Sequence, residues 1–297
     1  MPSRHILFVN SRNVTRPVFV IGAPHSGAEA VGRALKMSPG FHVTMGSRTI
    51  LQAVYGFARR PSMYSGRGHA AGAVLRDAFA QGWQIRATGC VECTPQCRAA
   101  AGLREAEVGP CAEERGLARF GDASPDLTYC ADAVIAAFPD AQIIQVVRDG
   151  RDTVAAMMQD PIAMSWFRSG IVNIDTEFPN PFYGVEGEDD RYAWSTLSLA
   201  GKCAMRWRGA IRIAAHLRLR MPFDQLKTLR YEDMIADPRG AAATLSEFTG
   251  ATVAAPIMRE HKKVRAEAGS WRTTLTINDV AEVEKIAGEE LRRLAYG

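Results

Sequence analysis

Two largely apolar runs, each followed by a turn and an amphipathic segment, organise the chain, and the second run is interrupted by Gln145. The runs are Val18–Ile21 and Ile143–Val147. Apolar runs without polar alternation are typical of strands that are buried on both faces of a parallel sheet. After the first run, residues 28–37 show helical spacing of apolar positions. Two strands that each pass through a turn into a helix predict an α/β protein, a three-layer sandwich around a central parallel sheet.

The rest of the chain divides into predicted helices, one further strand and a long loop. The 297 residues, 47% of them hydrophobic, suffice for one substantial core. We expect a short N-terminal lead-in over residues 1–15 and a single domain over residues 16–297. The predicted segments are mostly helical residues 48–120 with a glycine-rich break at 65–72, a helix over 127–138, a loop over 168–191, one long helix over 192–219, a strand over 226–229 and a helix starting at Asp237-Pro238.

The turn after the first strand, Gly22-Ala-Pro-His-Ser-Gly27, has the composition of an anion-binding loop. Between a strand and a helix, backbone N–H groups converge and the helix dipole favours negative charge. The two glycines have the spacing of a nucleoside-triphosphatase loop, but such a loop continues with Lys and then Ser or Thr. Ala28 and Glu29 follow here. The residues therefore disfavour a magnesium-bound triphosphate and favour a smaller anion.

The turn after the second strand carries Arg148 and Arg151 interleaved with Asp149 and Asp152. Residues at the carboxyl end of a parallel strand lie where open α/β sheets bind ligands. The planar guanidinium fork suits a phosphate group. An equally simple interpretation is a surface turn held by Arg–Asp ion pairs.

Together, these segments resemble the sulfotransferases that use 3′-phosphoadenosine 5′-phosphosulfate (PAPS), particularly the bacterial and tyrosylprotein-type branch. Pro17–Gly27 is similar to the family signature Pro-x-Phe-Ile-x-Gly-x-x-Arg-Ser-Gly-Thr-Thr, with His25 where Arg or Lys is usual. Residues 147–152 are similar to Val-Arg-Asp-Pro-Arg-Asp, with glycine in place of proline. The segment Leu229–Pro238 resembles the family's Arg-Tyr-Glu-Asp-Leu motif, and Ser270–Tyr296 resembles its cofactor-covering tail.

The resemblance implies a sulfotransferase fold of the P-loop-nucleoside-triphosphatase type, PAPS as the sulfuryl donor and adenosine 3′,5′-bisphosphate as its product. It implies that the first turn binds the 5′-phosphosulfate, the second turn binds the 3′-phosphate, and the later segments line and cover the adenosine. The residues implied as cofactor contacts are Ala23, Pro24, His25, Ser26, Gly27, Ala28, Arg148, Arg151, Tyr231, Trp271 and Arg272.

Sulfuryl transfer needs a cation or proton donor at the departing oxygen and a base for the acceptor's proton. His25 matches the family position of the donor, although a histidine there can also merely cap the loop. Candidates for the base are Glu29 in the first helical turn, His42 just beyond the helix, and Asp122 in a Gly-Asp-Ala-Ser-Pro turn. Glu29 is also explained as an acid that complements the helix dipole, and His42 and Asp122 as surface or capping residues.

Several positions depart from the family pattern. Ala156 stands where the family places a serine that contacts the 3′-phosphate, and Ala28 and Glu29 replace two hydroxyl residues of the phosphosulfate loop. Residues 46 and 47 lack the acid that related enzymes often carry nearby. A catalytically degenerate nucleotide-binding relative is therefore one alternative. A P-loop kinase of small molecules is the other, and it would need the loop Lys and hydroxyl that are missing.

The loop over residues 168–191, which is long for a compact domain, is the expected acceptor wall, with Phe178, Phe182 and Tyr183 as candidate contacts. An ordinary surface excursion explains it almost as well. The expected acceptor is a hydroxyl of a small molecule, rather than an amine. The Ala- and Arg-rich composition suggests a high-GC bacterial source and a role in natural-product tailoring.

Composition excludes some partners and leaves others open. A formal charge of +4 suits anionic ligands but is too weak and too dispersed to predict nucleic-acid binding. No apolar run approaches a membrane span, and no signal peptide is evident, so a cytoplasmic protein without membrane contact is expected. A homodimer is compatible with these patterns, which do not require one.

Six cysteines raise the question of a metal. Cys90, Cys93, Cys97 and Cys111 have a spacing that four zinc-binding thiolates can adopt. Cytosolic cysteine is more often a small buried apolar residue, and we therefore predict neither a zinc site nor disulfides.

Overall fold

A five-stranded parallel sheet forms the centre of the computed structural model, which describes residues 6–65, 68–88, 93–104, 107–253 and 268–297. The strands run in the order β4-β5-β3-β6-β7, and a separate antiparallel hairpin, β1-β2, precedes them in the chain. The strands are β1 (Leu7–Val9), β2 (Arg12–Val14), β3 (Val18–Ile21), β4 (Phe41–Thr44), β5 (Arg119–Asp122), β6 (Gln142–Val147) and β7 (Leu226–Arg230).

Helices cover both faces of this sheet. They are α1 (Ala28–Lys36), α2 (Arg48–Arg59), α3 (Gly68–Gly82), α4 (Pro95–Ala100), α5 (Ala131–Ala137), α6 (Gly150–Met158), α7 (Pro161–Ser165), α8 (Glu188–Trp194), α9 (Leu199–Arg220), α10 (Tyr231–Ala236), α11 (Pro238–Thr249), α12 (Trp271–Thr274) and α13 (Ile277–Arg293). Short 3-10 turns lie at Pro61–Met63, Leu127–Cys130 and Pro181–Tyr183.

The central strand β3 divides the apolar core into two layers. All four of its residues are buried. Phe19 and Ile21 belong to the larger cluster, and Val18 and Val20 to the smaller one. Successive side chains of a strand point to opposite faces, so a strand that is apolar throughout must be covered twice. The predicted three-layer α/β sandwich is confirmed.

Local predictions were less accurate where elements are short or interrupted. The predicted single helix over 192–219 is wrong, because α8 ends at Trp194 and α9 starts after Ser198, whose hydroxyl caps it by accepting the Gly201 N–H. The strands β4 and β5 were not predicted. Their central positions include His42 and Gly121, which interrupt the apolar pattern.

Candidate functional site

The loop after β3 and the turn after β6 lie side by side because their strands are neighbours. The two strands pair in parallel, with Ile21 opposite Gln145. Gly22 and Arg148 therefore leave the sheet at its carboxyl edge, where open α/β sheets bind ligands. The two turns, which are distant in sequence, meet in one place.

The loop between β3 and α1 is closed by its own backbone. The Ser26 N–H donates to the Ala23 carbonyl oxygen at 3.0 Å. Gly27 has a φ of +95°, in the left-handed region that favours glycine, and α1 starts there without a side-chain cap. A Cβ at Gly22 would lie 2.2 Å from Ser26 Oγ and 2.7 Å from the Val146 carbonyl oxygen, so only glycine fits. The loop therefore leads into an uncapped helix N-terminus.

The Ser26 hydroxyl is a buried polar group that has no hydrogen-bond partner among the residues described. Ser26 is only 1% exposed. A buried hydroxyl without a partner costs about 1–3 kcal/mol, which a bound ligand or water would recover. Beside the N-terminus of α1, the group that suits both the hydroxyl and the helix dipole is an anion with oxygen atoms.

Arg148 and Tyr231 pack directly against this loop. The guanidinium carbon of Arg148 lies 4.5 Å from the centre of the Tyr231 ring, and its Nη1 donates to the His25 carbonyl oxygen at 3.1 Å. The Tyr231 ring lies so close to Gly27 that a Cβ there would be 2.4 Å from it. The cation of Arg148, which follows β6, and the aromatic ring of Tyr231, at the start of α10, thus lie against the loop in one cluster.

The start of α10 also joins the cluster to the end of the chain. Glu232 accepts from the Asp149 N–H at 3.0 Å and from the Tyr296 hydroxyl at 2.7 Å. Burial, followed by the hydrogen bond to Glu232, raises the pKa of Tyr296, so its hydroxyl stays a donor. Arg230 stacks on the Tyr296 ring at 4.3 Å and donates to the Leu294 carbonyl oxygen. These contacts hold the turn after β6 against α10 and the end of the chain.

Arg151 is held differently from the direct phosphate contact expected for it. Its Nε and Nη2 donate to the Asp149 carboxylate at 3.1 and 2.9 Å, and its Nη1 donates to Glu284 at 3.2 Å. Its Nη2 also donates to the Tyr296 carbonyl oxygen. All three side-chain nitrogens are engaged, so the ion-pair interpretation of this turn holds for Arg151, and its contact with the cofactor stays a prediction.

Trp271 reaches the same turn from the far end of the chain. Its ring contacts two guanidinium groups, with its centre 4.4 Å from the guanidinium carbon of Arg151 and 4.5 Å from that of Arg272. The carboxylate of Asp152, which is buried, accepts the Trp271 N–H at 2.9 Å. The C-terminal segment is therefore held against the start of α6 near both of its ends, at Trp271 by Arg151 and Asp152 and at Tyr296 by Arg151.

His25 is the most constrained residue of the loop. Its φ is +63°, a left-handed conformation that a non-glycine residue adopts at an energetic cost. Its Nε2 lies 3.0 Å from Asp160 Oδ2. The side chain is 35% exposed, so the ring is held in place and still open to solvent.

The three candidates for the base are not placed alike. Glu29 is exposed and paired with Arg33 at 3.1 Å, as expected for an acid in a first helical turn. His42 is 0% exposed in the middle of β4, packed edge-on against Phe120 at 6.0 Å. An acceptor cannot reach this ring, and the prediction of His42 as the base is corrected for that reason.

Asp122 is also enclosed. It is 0% exposed at the end of β5, where the Thr44 hydroxyl donates to its carboxyl at 2.6 Å and the Ser124 N–H does so at 2.8 Å. Burial raises the pKa of Asp122 to about 7 despite these hydrogen bonds. Its surroundings identify it as a structural residue of the sheet edge.

The loop expected to form the acceptor wall is buried in its middle and exposed towards both ends, and its role towards an acceptor stays a prediction. Phe182 and Tyr183 are 0% exposed and pack against each other with ring centres 5.1 Å apart, so their expected contact with an acceptor is corrected. Phe178 is 37% exposed and lies under Arg191 at 5.4 Å. An open cavity of about 630 Å³ lies between the start of this loop and α8.

Several residues beside His25 were not recognised in the sequence. Asp126 and Arg206 form a buried ion pair at 2.5 Å, and the ring of Tyr55 lies 5.0 Å from that of Trp166. Burial, followed by the charge of Asp126, raises the pKa of Tyr55. These residues have no common motif. Asp160 alone left a local signal, since Asp160-Pro161 has the same capping pattern as the start of α11.

The cysteines contribute little to this site. Cys97 is buried, and its Sγ accepts the Met45 N–H at 3.3 Å. Cys93 is half-buried and Cys111 is buried, whereas Cys90 lies outside the described residues. Over the ranges that the structure covers, no three His, Cys, Asp or Glu side chains are grouped as metal ligands would be.

The fold and the loop define an α/β protein with a glycine turn and an uncapped helix N-terminus at the carboxyl edge of its sheet. A family model described as "Sulfotransferase family" matches residues 17–180, more than half of the chain. This protein therefore belongs to the sulfotransferase family, as the resemblance in its sequence predicted. None of the curated proteins matches the sequence.

A solved sulfotransferase domain shares the architecture. The sulfotransferase domain from the curacin biosynthetic pathway has a TM-score of 0.53 at 11% identity, covering 93% of this chain and 97% of that one. The sulfotransferase domain of the Synechococcus PCC 7002 olefin synthase has a TM-score of 0.49 at 15% identity, covering 94% and 96%. At such identities, the curacin-pathway domain supports the fold alone. Within the described part of the chain, no helix has the length and apolar character that crossing a membrane needs.

Proposed function

We propose that this protein transfers a sulfuryl group from PAPS to a hydroxyl group of a small molecule. The observation that carries the proposal is the buried Ser26 hydroxyl, which has no partner among the described residues and lies beside the uncapped N-terminus of α1. Arg148 and Tyr231 adjoin the same loop. A phosphosulfate group would satisfy the hydroxyl and the helix dipole together.

Each part of the site has a role in this proposal. Residues 23–28 would hold the 5′-phosphosulfate, Arg148 the 3′-phosphate, and Tyr231 the adenosine. When bound, PAPS supplies an activated sulfuryl group. His25 is the proton-handling side chain at the loop, since it is both held by Asp160 and open to solvent. Trp271 and Arg272 would cover the nucleotide from the α12 side.

The alanine at position 156 affects the expected affinity for the 3′-phosphate and leaves the proposed sulfotransferase function unchanged. Ala156 is half-buried on α6 and offers no hydroxyl to a 3′-phosphate. Arg148 would then carry more of the recognition of that phosphate than in relatives with a serine there. We also retain bacterial natural-product tailoring as part of the proposal, on the composition of the chain alone.

A kinase activity is disfavoured by the same loop. Ala28 and Glu29 occupy the positions of the Lys and hydroxyl that a magnesium-bound triphosphate needs. The Glu29 carboxylate is paired with Arg33 on the surface of α1, and a triphosphate would gain no cation from it.

Titration calorimetry with adenosine 3′,5′-bisphosphate, beside ADP with Mg²⁺, tests the proposal. We expect the bisphosphate to bind and ADP with Mg²⁺ to bind much more weakly. Arg148→Ala should weaken bisphosphate binding by roughly 10- to 100-fold, because a charge-assisted hydrogen bond is worth about 1.5–3 kcal/mol.

The matched control is Arg220→Ala, which removes an exposed arginine paired with Asp132 on the surface. Its bisphosphate affinity should equal that of the wild type. If the wild type binds no bisphosphate, or if both variants lose affinity equally, the proposed site is wrong.

A further inference from the structure

We propose that Asp160 positions His25 so that its Nδ1 receives the proton of the acceptor hydroxyl, which makes His25 the base of the reaction. This inference rests on the proposed function and deepens it. It differs from the role that the family position implies for residue 25, a donor to the departing oxygen.

The Asp160 carboxylate is itself held in place, as a positioning residue must be. Its Oδ2 lies 3.0 Å from His25 Nε2, and its Oδ1 accepts the Ile162 N–H at 2.8 Å as the N-cap of α7. Its own N–H donates to the Met157 carbonyl oxygen at 3.0 Å. The carboxylate therefore faces His25 from the junction of two helices, α6 and α7.

The backbone of His25 is fixed from the opposite side. Arg148 donates to its carbonyl oxygen at 3.1 Å, and its φ of +63° is retained within a closed turn. With Nε2 donating its hydrogen to Asp160, Nδ1 keeps its lone pair and is the nitrogen that can accept a proton. A left-handed conformation at a catalytic residue is the kind of strain that functional sites retain.

The other candidates for the base are removed by their positions. Glu29 is paired with Arg33 on the surface, and His42 and Asp122 are fully buried. Among the candidate acids and bases that the sequence offered, His25 is the one that belongs to the loop itself, is partly open to solvent and is held by a carboxylate from another element.

Charges surrounding the pair come from several elements. Arg148 approaches from the end of β6, and the buried pair of Asp126 and Arg206 lies before α5 and on α9. Both His25 and Asp160 lie within electrostatic range of the Asp126 carboxyl. The Tyr55 hydroxyl on α2 interacts electrostatically with Asp126, Arg206 and Asp160. His25 and Asp160 thus belong to a wider group of charged residues, in which they are exposed to solvent while Asp126 and Arg206 are buried.

The proposed step is a displacement at the sulfur atom. A bond forms between the acceptor oxygen and sulfur while the bond between sulfur and the oxygen of the 5′-phosphate breaks, and that oxygen keeps the electron pair. The acceptor's proton passes to His25 Nδ1. The resulting imidazolium is balanced by the Asp160 carboxylate, as a carboxylate supports histidine in other general-base pairs.

Nitrogen-15 NMR of the His25 ring, assigned with His25→Ala, tests the positioning. We expect the wild-type ring, when neutral, to carry its proton on Nε2, and Asp160→Asn to lose this preference. The matched control is Asp237→Asn, because Asp237 is also an N-cap followed by proline, at the start of α11. It should leave the His25 signals unchanged. A neutral ring protonated on Nδ1 in the wild type would overturn the inference.

The release of inorganic sulfate from ³⁵S-labelled PAPS, with water as the acceptor, tests the proton transfer. We expect Asp160→Asn to lower this rate about 100-fold, since general-base catalysis contributes roughly 10²–10⁴. Bisphosphate affinity should change less than about threefold, because asparagine still caps α7.

The outcomes separate this inference from the proposed function. If the wild type binds the bisphosphate and Asp160→Asn releases sulfate as fast as Asp237→Asn, the role of Asp160 is wrong and the proposed function stands. If the wild type neither binds the bisphosphate nor releases sulfate, the proposed function fails, and the proton transfer fails with it.

Discussion

Gly27 shows how little space separates the side chains of the site. It adopts a left-handed φ of +95°, and a Cβ there would lie 2.4 Å from the Tyr231 ring. That ring in turn stacks on Arg148 at 4.5 Å. One added methyl group at residue 27 would therefore displace the Tyr231 ring on which the Arg148 guanidinium stacks. The glycine at this position is thus required by steric limits.

Gly27→Ala is expected to lose bisphosphate affinity and stability together. The cost combines the left-handed conformation, about 1 kcal/mol or more, with the displacement of Tyr231. Gly116→Ala is the matched control, because Gly116 has a φ of +83° and nothing within 4 Å of the added Cβ. Calorimetric titration and urea unfolding of both variants check this. Equal losses of stability with unchanged binding would show that the contact with Tyr231 does not matter.

The helices of the C-terminal region work as a support for the two turns. The end of α13 is joined to α10 through Tyr296 and Glu232, and α6 is joined to the start of α12 through Asp152. Glu232 also accepts the Asp149 N–H at the first turn of α6. Four helices are thus linked by hydrogen bonds to carboxylates, and these links support the turn that carries Arg148.

Tyr296→Phe is expected to destabilise the protein by about 1.5–3 kcal/mol. The variant keeps the ring against Arg230 but leaves a partly buried Glu232 oxygen without its donor. Tyr192→Phe is the control, since Tyr192 is 75% exposed, and it should change stability by less than about 0.5 kcal/mol. The midpoints of urea unfolding measure the difference. A loss no larger than that of the control would contradict the supporting role of Tyr296.

The global stability of the molecule is expected to depend on a carboxyl group in its core. Burial raises the pKa of Asp122 from its ordinary value of 3.8 to about 7, so between these pH values the folded state holds a proton that the unfolded state releases. Stability contributed by this proton is fully present below about pH 4 and is lost as the pH rises towards 7.

Asp122→Asn should remove this dependence. Between pH 5 and pH 8 the wild type is expected to lose on the order of 2–3 kcal/mol relative to the variant. The amide can keep the hydrogen bond from the Ser124 N–H, and the Thr44 hydroxyl can turn to accept from it. Urea unfolding of both proteins at several pH values measures the difference. Parallel curves for the two proteins would show that Asp122 is ionised in the folded state.

The local features of the chain were predictable because they depend on neighbours in sequence. The apolar run of β3, the glycine loop after it and the capped start of α11 each follow from a few adjacent residues. The order of the motifs was sufficient to predict the family. The Arg-Tyr-Glu segment at Tyr231 was identified, although its links to Asp149 and Tyr296 were not.

Only the packed structure decided which side chains meet and which are enclosed. Asp160 lies 135 residues after His25, and no spacing rule relates them. The burial of His42 and Phe182 depends on strands and helices from distant parts of the chain. Backbone conformation is governed by local sterics, which a sequence expresses directly. Burial and proton-transfer partners arise when strands close into a sheet and bring remote residues within hydrogen-bond distance.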